Sequence, residues 1–194
     1  MFDVRAVVLI VLMALSTPAW TADRAALFSR LEQARHIAEG ASGHPANVLY
    51  VFFDPNCYYC HLTWKALQPY ENAGLQVRWV PVAYQKPSSA GMAAAILLAS
   101  DSAAALRQNE TGYRTASYDG AIKALAEVPP AIGKALRENM DLMRAFGAQG
   151  TPALVWKEKS GIGFRNAVPR LSELPRITGL PLQKIEDPDL APFR

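Results

Sequence analysis

A chain of 194 residues, 51% apolar and 19% charged and without low-complexity tracts, has the means to bury one domain core and is neither a disordered nor a fibrous sequence. Its formal net charge of +3 is too mild to nominate nucleic acid as a partner. It has only two cysteines, three residues apart in a single Cys-x-x-Cys, so no disulfide is left to staple the fold and stability must come from the core.

Residues 1–22 read as a secretory leader. Arg5 precedes the apolar run Ala6 to Leu15, and small residues follow around Ser16, Thr17 and Ala19, with cleavage expected after Ala19 or Ala22. The apolar run is shorter than the roughly 20 residues that a spanning helix needs. Removal leaves about 170 residues, one domain in an oxidising compartment, the periplasm.

Leu27, Leu31, Ala34, Ile37 and Ala38 recur at helical spacing from Arg24 to about Glu39. They predict an amphipathic lead-in helix, closed near Gly40 by a turn-rich stretch to Pro45. Val48 to Phe53 is a continuous apolar and aromatic run, suited to a strand covered on both faces. Asp54-Pro55-Asn56 ends it and supplies helix-start chemistry. A helix follows from Cys57 to about Tyr70, with Pro69 kinking or closing it, and Leu75 to Val82 returns as a parallel strand. This βαβ unit puts Cys57 at the carboxyl end of a strand and the start of a helix. There unpaired N–H groups and the positive dipole end favour the thiolate, the form that attacks disulfides. Cys60, one turn later, is placed to resolve the mixed disulfide by forming an internal bridge.

Residues 88–146 read as a helical insertion that packs on the sheet and walls the cleft above Cys57. One apolar face is Met92, Ala95, Ile96 and Ala99, and another, after Pro129-Pro130, is Ile132, Leu136, Met140, Met143 and Phe146, with a loop or a short irregular helix over residues 110–120 between them. Ala153 to Trp156 and Phe164 to Val168 form a hairpin through Ser160-Gly161-Ile162-Gly163. A short helix from Leu171 to Ile177 is interrupted by Pro175, and residues 181–194, with Pro181, Pro188 and Pro192, are expected to be an extended tail.

Thr151-Pro152 stands just before the hairpin. Proline is tolerated at the first residue of any strand. In a thioredoxin-like fold, however, the corresponding loop carries a cis-proline opposite the Cys-x-x-Cys and holds a substrate's backbone like an added strand.

The run from Asp54 to His61, Lys86-Pro87 with Ala93 to Leu97, and Leu142-Met143 leading to Gly147-Ala148-Gln149-Gly150-Thr151-Pro152-Ala153 resemble the periplasmic DsbC/DsbG thiol:disulfide interchange family, the DsbG side most closely. The resemblance implies an α/β, thioredoxin-like fold with an inserted helical subdomain and an N-terminal linker-type helix. It covers about Leu31 to Gly179, with residues 23–45 expected as the linker helix and loop and residues 46–180 as the domain. By it Cys57 is the nucleophile, Cys60 the resolving cysteine and Pro152 the cis-proline preceded by Thr151, and Tyr59 matches a tyrosine of the isomerase branch, whereas Tyr58 replaces the usual glycine or proline. It also implies exported cysteine-containing clients, a DsbD-type membrane electron donor if reduction dominates, and no cofactor beyond the Cys57–Cys60 pair. Because the chain has no room before Leu31 for the family's dimerisation domain, a monomer, or a dimer made some other way, is expected.

The neighbouring residues have two readings each. His61 shares a helix face with Cys57 and either lowers its pKa or simply faces solvent. Asp54 either tunes proton transfer or makes an Asx turn or cap. Tyr58 and Tyr59 sit at the exposed helix start, where their rings would contact an unfolded client. Cys57-Tyr58-Tyr59-Cys60-His61 also satisfies the c-type haem attachment pattern, the sharpest rival, and a non-catalytic chaperone or secretion accessory would use the same surface. A zinc site is weaker, since two thiolates need two further ligands and only three histidines are present.

Overall fold

The structure, a computed structural model, describes residues 19–194. The expected leader therefore lies outside the described residues, except for its last four, which open the first helix. In chain order the elements are α1 (Ala19–Glu32), β1 (Ile37–Gly40), β2 (Asn47–Phe53), α2 (Tyr58–Asn72), β3 (Leu75–Pro81), α3 (Ser89–Leu98), α4 (Ser102–Thr111), α5 (Pro130–Ala145), β4 (Ala153–Glu158), β5 (Gly161–Arg165) and α6 (Leu174–Thr178), with 3₁₀ turns at Leu171–Glu173 and Pro188–Phe193.

The strands form one sheet in the order β1-β3-β2-β4-β5. Only β2 and β3, the strands flanking α2, run parallel; the other three pairings are antiparallel. Alternation along the strands divides the interior into two layers. Leu49, Val51 and Phe53 of β2, with Leu75, Val77 and Trp79 of β3 and Leu154 and Trp156 of β4, face α2, α3, α4 and α6. Tyr50, Phe52, Val80, Ala153 and Val155 face α1 and the end of α5. Both faces of β2 are thus covered, which is why its sequence is apolar without alternation. This is the thioredoxin-like architecture that the resemblance implied.

Several expectations are corrected. The helix expected over residues 24–39 stops at Glu32, and Ile37–Gly40 is an edge strand paired with β3. Alternate burial of Ile37 and Glu39 there gives a period of two, which the short sequence stretch also allowed. α1 is no free linker, because Leu27, Phe28 and Leu31 belong to the second core layer. Pro69 does not close α2, which runs on to Asn72. The hairpin turns at residues 159–160, with Glu158 opposite Gly161, and Gly163 lies across from Trp156. A Cβ at Gly163 would fall 2.1 Å from the Trp156 ring, so glycine is what lets the indole lie over β5. Pro175 falls in the first turn of α6 rather than interrupting it. α5 spans the two layers, with Ile132 and Leu136 in the first and Leu142, Met143 and Phe146 in the second, so the final helix of residues 88–146 completes the sheet packing and only the part before it overhangs the site. The tail is extended at first, then folds into the last 3₁₀ turn with Leu190 fully buried.

Candidate active site

β2 delivers the chain to the site, and Asp54 fixes the turn that follows. Its carboxylate is buried and accepts four hydrogen bonds: from the N–H of Asn56 (2.9 Å), the N–H groups of Tyr84 (2.8 Å) and Gln85 (3.0 Å), and the hydroxyl of Ser89 (2.7 Å). The first is the expected Asx turn; the others tie the turn to the loop after β3 and to α3. Asp54 does not cap α2.

Cys57 is itself the cap. Its Sγ accepts the N–H of Cys60 at 3.2 Å, while its carbonyl accepts from Cys60 (3.0 Å) and His61 (3.1 Å). A sulfur thus takes the place usually held by a serine, threonine or aspartate oxygen, where orphan N–H groups and the helix dipole favour negative charge. The two cysteines are buried. The Cys57 thiol is held below its ordinary pKa, chiefly by a hydrogen bond from the Cys60 thiol, with the side chain of Thr151 and the backbone of Cys60 helping against burial and the nearby Asp54 charge. Cys60 is pushed well above its ordinary value, first by complete burial and then by its partnership with Cys57. One sulfur is prepared to attack and its neighbour to wait.

Opposite Cys57 lies the loop before β4. The Thr151–Pro152 peptide is cis, and the Cys57 thiol donates to the Thr151 carbonyl at 3.5 Å. Asn166 holds the loop from behind, donating to the carbonyls of Gly150 (2.6 Å) and Pro152 (3.0 Å) and accepting from the N–H of Gln149 (2.9 Å). Beside Pro152 is a groove of about 360 Å³ lined by Tyr59, Thr151, Val168 and Phe193, among others.

Cys57, Thr151, Pro152 and Tyr59 therefore meet around one groove, with Cys60 buried behind Cys57 and Tyr59 more than half exposed. Tyr58 departs from expectation, since it is only part-exposed and sits in a tyrosine cluster, its ring 5.6 Å from those of Tyr59 and Tyr118 and 6.3 Å from that of Tyr113. His61 does not face solvent. It is buried, stacked on Tyr113 at 4.6 Å, with Nδ1 3.2 Å from a carboxylate oxygen of Glu110 on α4. Its partner is thus Glu110. Burial pushes the Glu110 carboxyl up, and hydrogen bonds from His61 and Asn109 oppose that.

Sequence reasoning missed Asn56, Tyr84, Glu110, Tyr113 and Asn166. Asn56 is a buried hub. Its amide nitrogen donates to the hydroxyls of Ser88 and Ser89, its side-chain oxygen accepts from the N–H of Gly120 (3.3 Å), and its carbonyl accepts from Tyr113 (2.8 Å). A Cβ at Gly120 would lie 2.4 Å from the Pro55 carbonyl, so the overhanging loop can close on the turn only with glycine there. The one sequence signal for these residues was polar side chains in segments otherwise read as loop or apolar helix.

Comparison with known proteins agrees with this geometry. Residues 33–167 match the thioredoxin-like domain family. The chain is similar to the thiol:disulfide interchange protein DsbG of Pseudomonas aeruginosa, 33% identical over 155 residues that make up 79% of this chain and 59% of that protein. It is similar also to DsbG of Escherichia coli, 31% identical over 159 residues, 81% of this chain and 58% of that protein. It therefore spans less than two thirds of the length of these relatives. Among solved structures, ScsC of Proteus mirabilis in a compact conformation superposes with a TM-score of 0.61 at 22% identity, covering 90% of this chain and 84% of that one, a likeness of fold.

Proposed function

The chain belongs to the thioredoxin-like domain family, and on that premise we propose that it is a thiol:disulfide oxidoreductase acting on exported proteins through Cys57 and Cys60. The observation that carries this reading is the asymmetry of the pair. The sulfur that caps α2 faces the Thr151 carbonyl and has a lowered pKa, while its partner one turn on is sealed and protonated.

In the reducing direction the Cys57 thiolate attacks one sulfur of a client disulfide. A new S–S bond forms, and the other client sulfur leaves as a thiolate that takes up a proton. Cys60 then loses its proton and attacks the Cys57 sulfur, and the second client thiol departs. The client has gained two electrons and two protons, and the pair has become a disulfide. The oxidising direction runs through the same mixed disulfide backwards. Raised in pKa, Cys60 stays protonated and does not compete in the first step.

Thr151 and Pro152 offer an extended client a backbone edge, and the adjoining groove takes a side chain near the client's cysteine. Export to the periplasm fits the leader-like residues 1–22, and a DsbD-type membrane donor fits the reducing direction.

The test is a trap. A Cys60→Ser protein mixed with a disulfide-bonded client is expected to accumulate a mixed disulfide through Cys57, seen as a reductant-sensitive adduct by mass spectrometry. If Cys60→Ser gave no more adduct than Cys57→Ser, the exchange reading would fail.

A further inference from the structure

Most backbone polar groups close to Cys57 in the loop that faces it have side-chain partners. Asn166 satisfies Gln149, Gly150 and Pro152 from behind. The two groups of Thr151 are bonded instead by side chains on the sulfur side. Its carbonyl accepts the Cys57 thiol, a long contact that lapses once the sulfur is ionised or bonded to a client. Its N–H donates to the hydroxyl of Tyr84 at 2.9 Å, and the same hydroxyl stands 2.9 Å from the Thr151 Oγ1.

Tyr84 is on the loop after β3 and is 44% exposed. Its backbone is fixed, because Asp54 accepts the N–H groups of both Tyr84 and Gln85. Its hydroxyl also accepts from the Gln85 side chain at 3.2 Å. A Cβ on Gly150 would lie 3.3 Å from that oxygen, so the hydroxyl sits against the loop backbone as a peptide oxygen would in an added strand.

We infer that Tyr84 is a specificity-determining residue whose hydroxyl occupies the place of a client's backbone carbonyl on Thr151, so that a polypeptide disulfide must displace it to pair with the loop. The inference rests on the exchange function proposed above. A polypeptide client replaces the tyrosine bond with one of its own and gains little from that site. A small disulfide with no amide never needs the Thr151 N–H and leaves Tyr84 where it is. Tyr84 therefore holds back clients that dock only loosely by their backbone and passes those that make further contacts, such as a side chain in the groove beside Pro152.

Two disulfides test this in the full chain with both cysteines: an unstructured peptide closed by one intramolecular disulfide, and 2-hydroxyethyl disulfide. For each, the second-order rate constant of the reduced protein is measured by acid quenching and alkylation. Removing one competing hydrogen bond in Tyr84→Phe is expected to raise the ratio of the peptide constant to the small-disulfide constant about threefold to tenfold. Tyr84→Leu is expected to shift the ratio the same way. In the free Tyr84→Phe protein the Thr151 amide is expected to exchange with deuterium faster than in the wild type. A ratio that stays level or falls in both variants overturns the inference while the exchange function stands. A wild-type protein that reacts with neither disulfide although Cys57 alkylates normally overturns the exchange function and the inference together.

Discussion

Nδ1 of His61 stands 3.2 Å from a carboxylate oxygen of Glu110, and both side chains are shut away from solvent. The other Glu110 oxygen accepts from Asn109, whose side chain also donates to the Pro55 carbonyl just ahead of Cys57. α4 is thereby fastened to the first turn of α2 and to the turn before it. Glu110→Ala leaves the buried His61 without its carboxylate partner and takes one of two acceptors from the Asn109 amide, which keeps the Pro55 carbonyl, so it is expected to cost about 2–4 kcal/mol of stability. Glu110→Gln keeps an acceptor and should cost less. Urea unfolding checks both, and a midpoint unmoved by the alanine variant would mean that this pair does not secure the site.

The unequal thiols give a chemical signature. At neutral pH a limiting amount of iodoacetamide is expected to label Cys57 first, with Cys60 reacting only on unfolding. The rate of Cys57 labelling should rise with pH around a midpoint below the ordinary thiol value of about 8.5. Peptide mapping after a pH-jump series measures this. Equal labelling of the two cysteines would contradict the burial and hydrogen bonding found at Cys60.

Away from the sulfurs, Glu39 on β1 and Glu71 on α2 are buried near each other. Glu39 accepts from the Trp64 indole (3.0 Å) and from Arg107 (3.2 Å), while one Glu71 oxygen is buried without a hydrogen-bond partner. Burial, with the Glu39 charge adding to it, raises the Glu71 pKa to about 9. Between the ordinary carboxylate range and pH 9 the folded chain therefore holds a proton that the unfolded chain has lost. This contribution is fully present below the unfolded value and is lost as pH rises, so stability is expected to fall from pH 5 towards pH 9. Glu71→Gln should flatten the slope and stabilise the protein by about 1–3 kcal/mol at pH 7.5. Glu39 and Glu110, also raised by burial, retain part of the slope. Thermal unfolding across pH follows it, and a variant with the wild-type slope would locate the titration elsewhere.

What could be read from the sequence divides along the kind of signal involved. The β2–α2–β3 unit was legible because an apolar run, a polar turn and a cysteine pair one helical turn apart each restrict the backbone independently. The cis-proline loop was legible only through its order in the chain and the family resemblance. Ile37–Gly40 was misread because four residues cannot separate a period of two from one of 3.6, and its pairing with β3 is a long-range event. His61 was placed correctly on α2, but the element covering it, α4, is brought there by the tertiary fold. Glu110 and Tyr113 are some 50 residues further on and share no motif with it.

The C-terminal tail was misread for a related reason, since three prolines suggested an extended chain while a single leucine decides its place. Leu190 is fully buried and belongs to the core layer around α2. Asp187 and Asp189 each hold Lys65 of α2 at 2.7 Å, and Phe193 reaches the groove beside Pro152. The ion pairs are part-exposed and contribute at most about 1 kcal/mol, whereas emptying the leucine site costs about 2–4 kcal/mol. Lys65→Met is therefore expected to change stability little, and 1 M salt should leave the tail docked. Leu190→Ala is expected to lower the urea midpoint and expose residues 181–194 to limited proteolysis. Because the same tail carries Phe193, its release should also remove one wall of the groove and slow exchange with peptides bearing a large apolar side chain beside the cysteine. Loss of stability without faster cleavage of the tail would show that Leu190 supports the core while the tail stays in place without it.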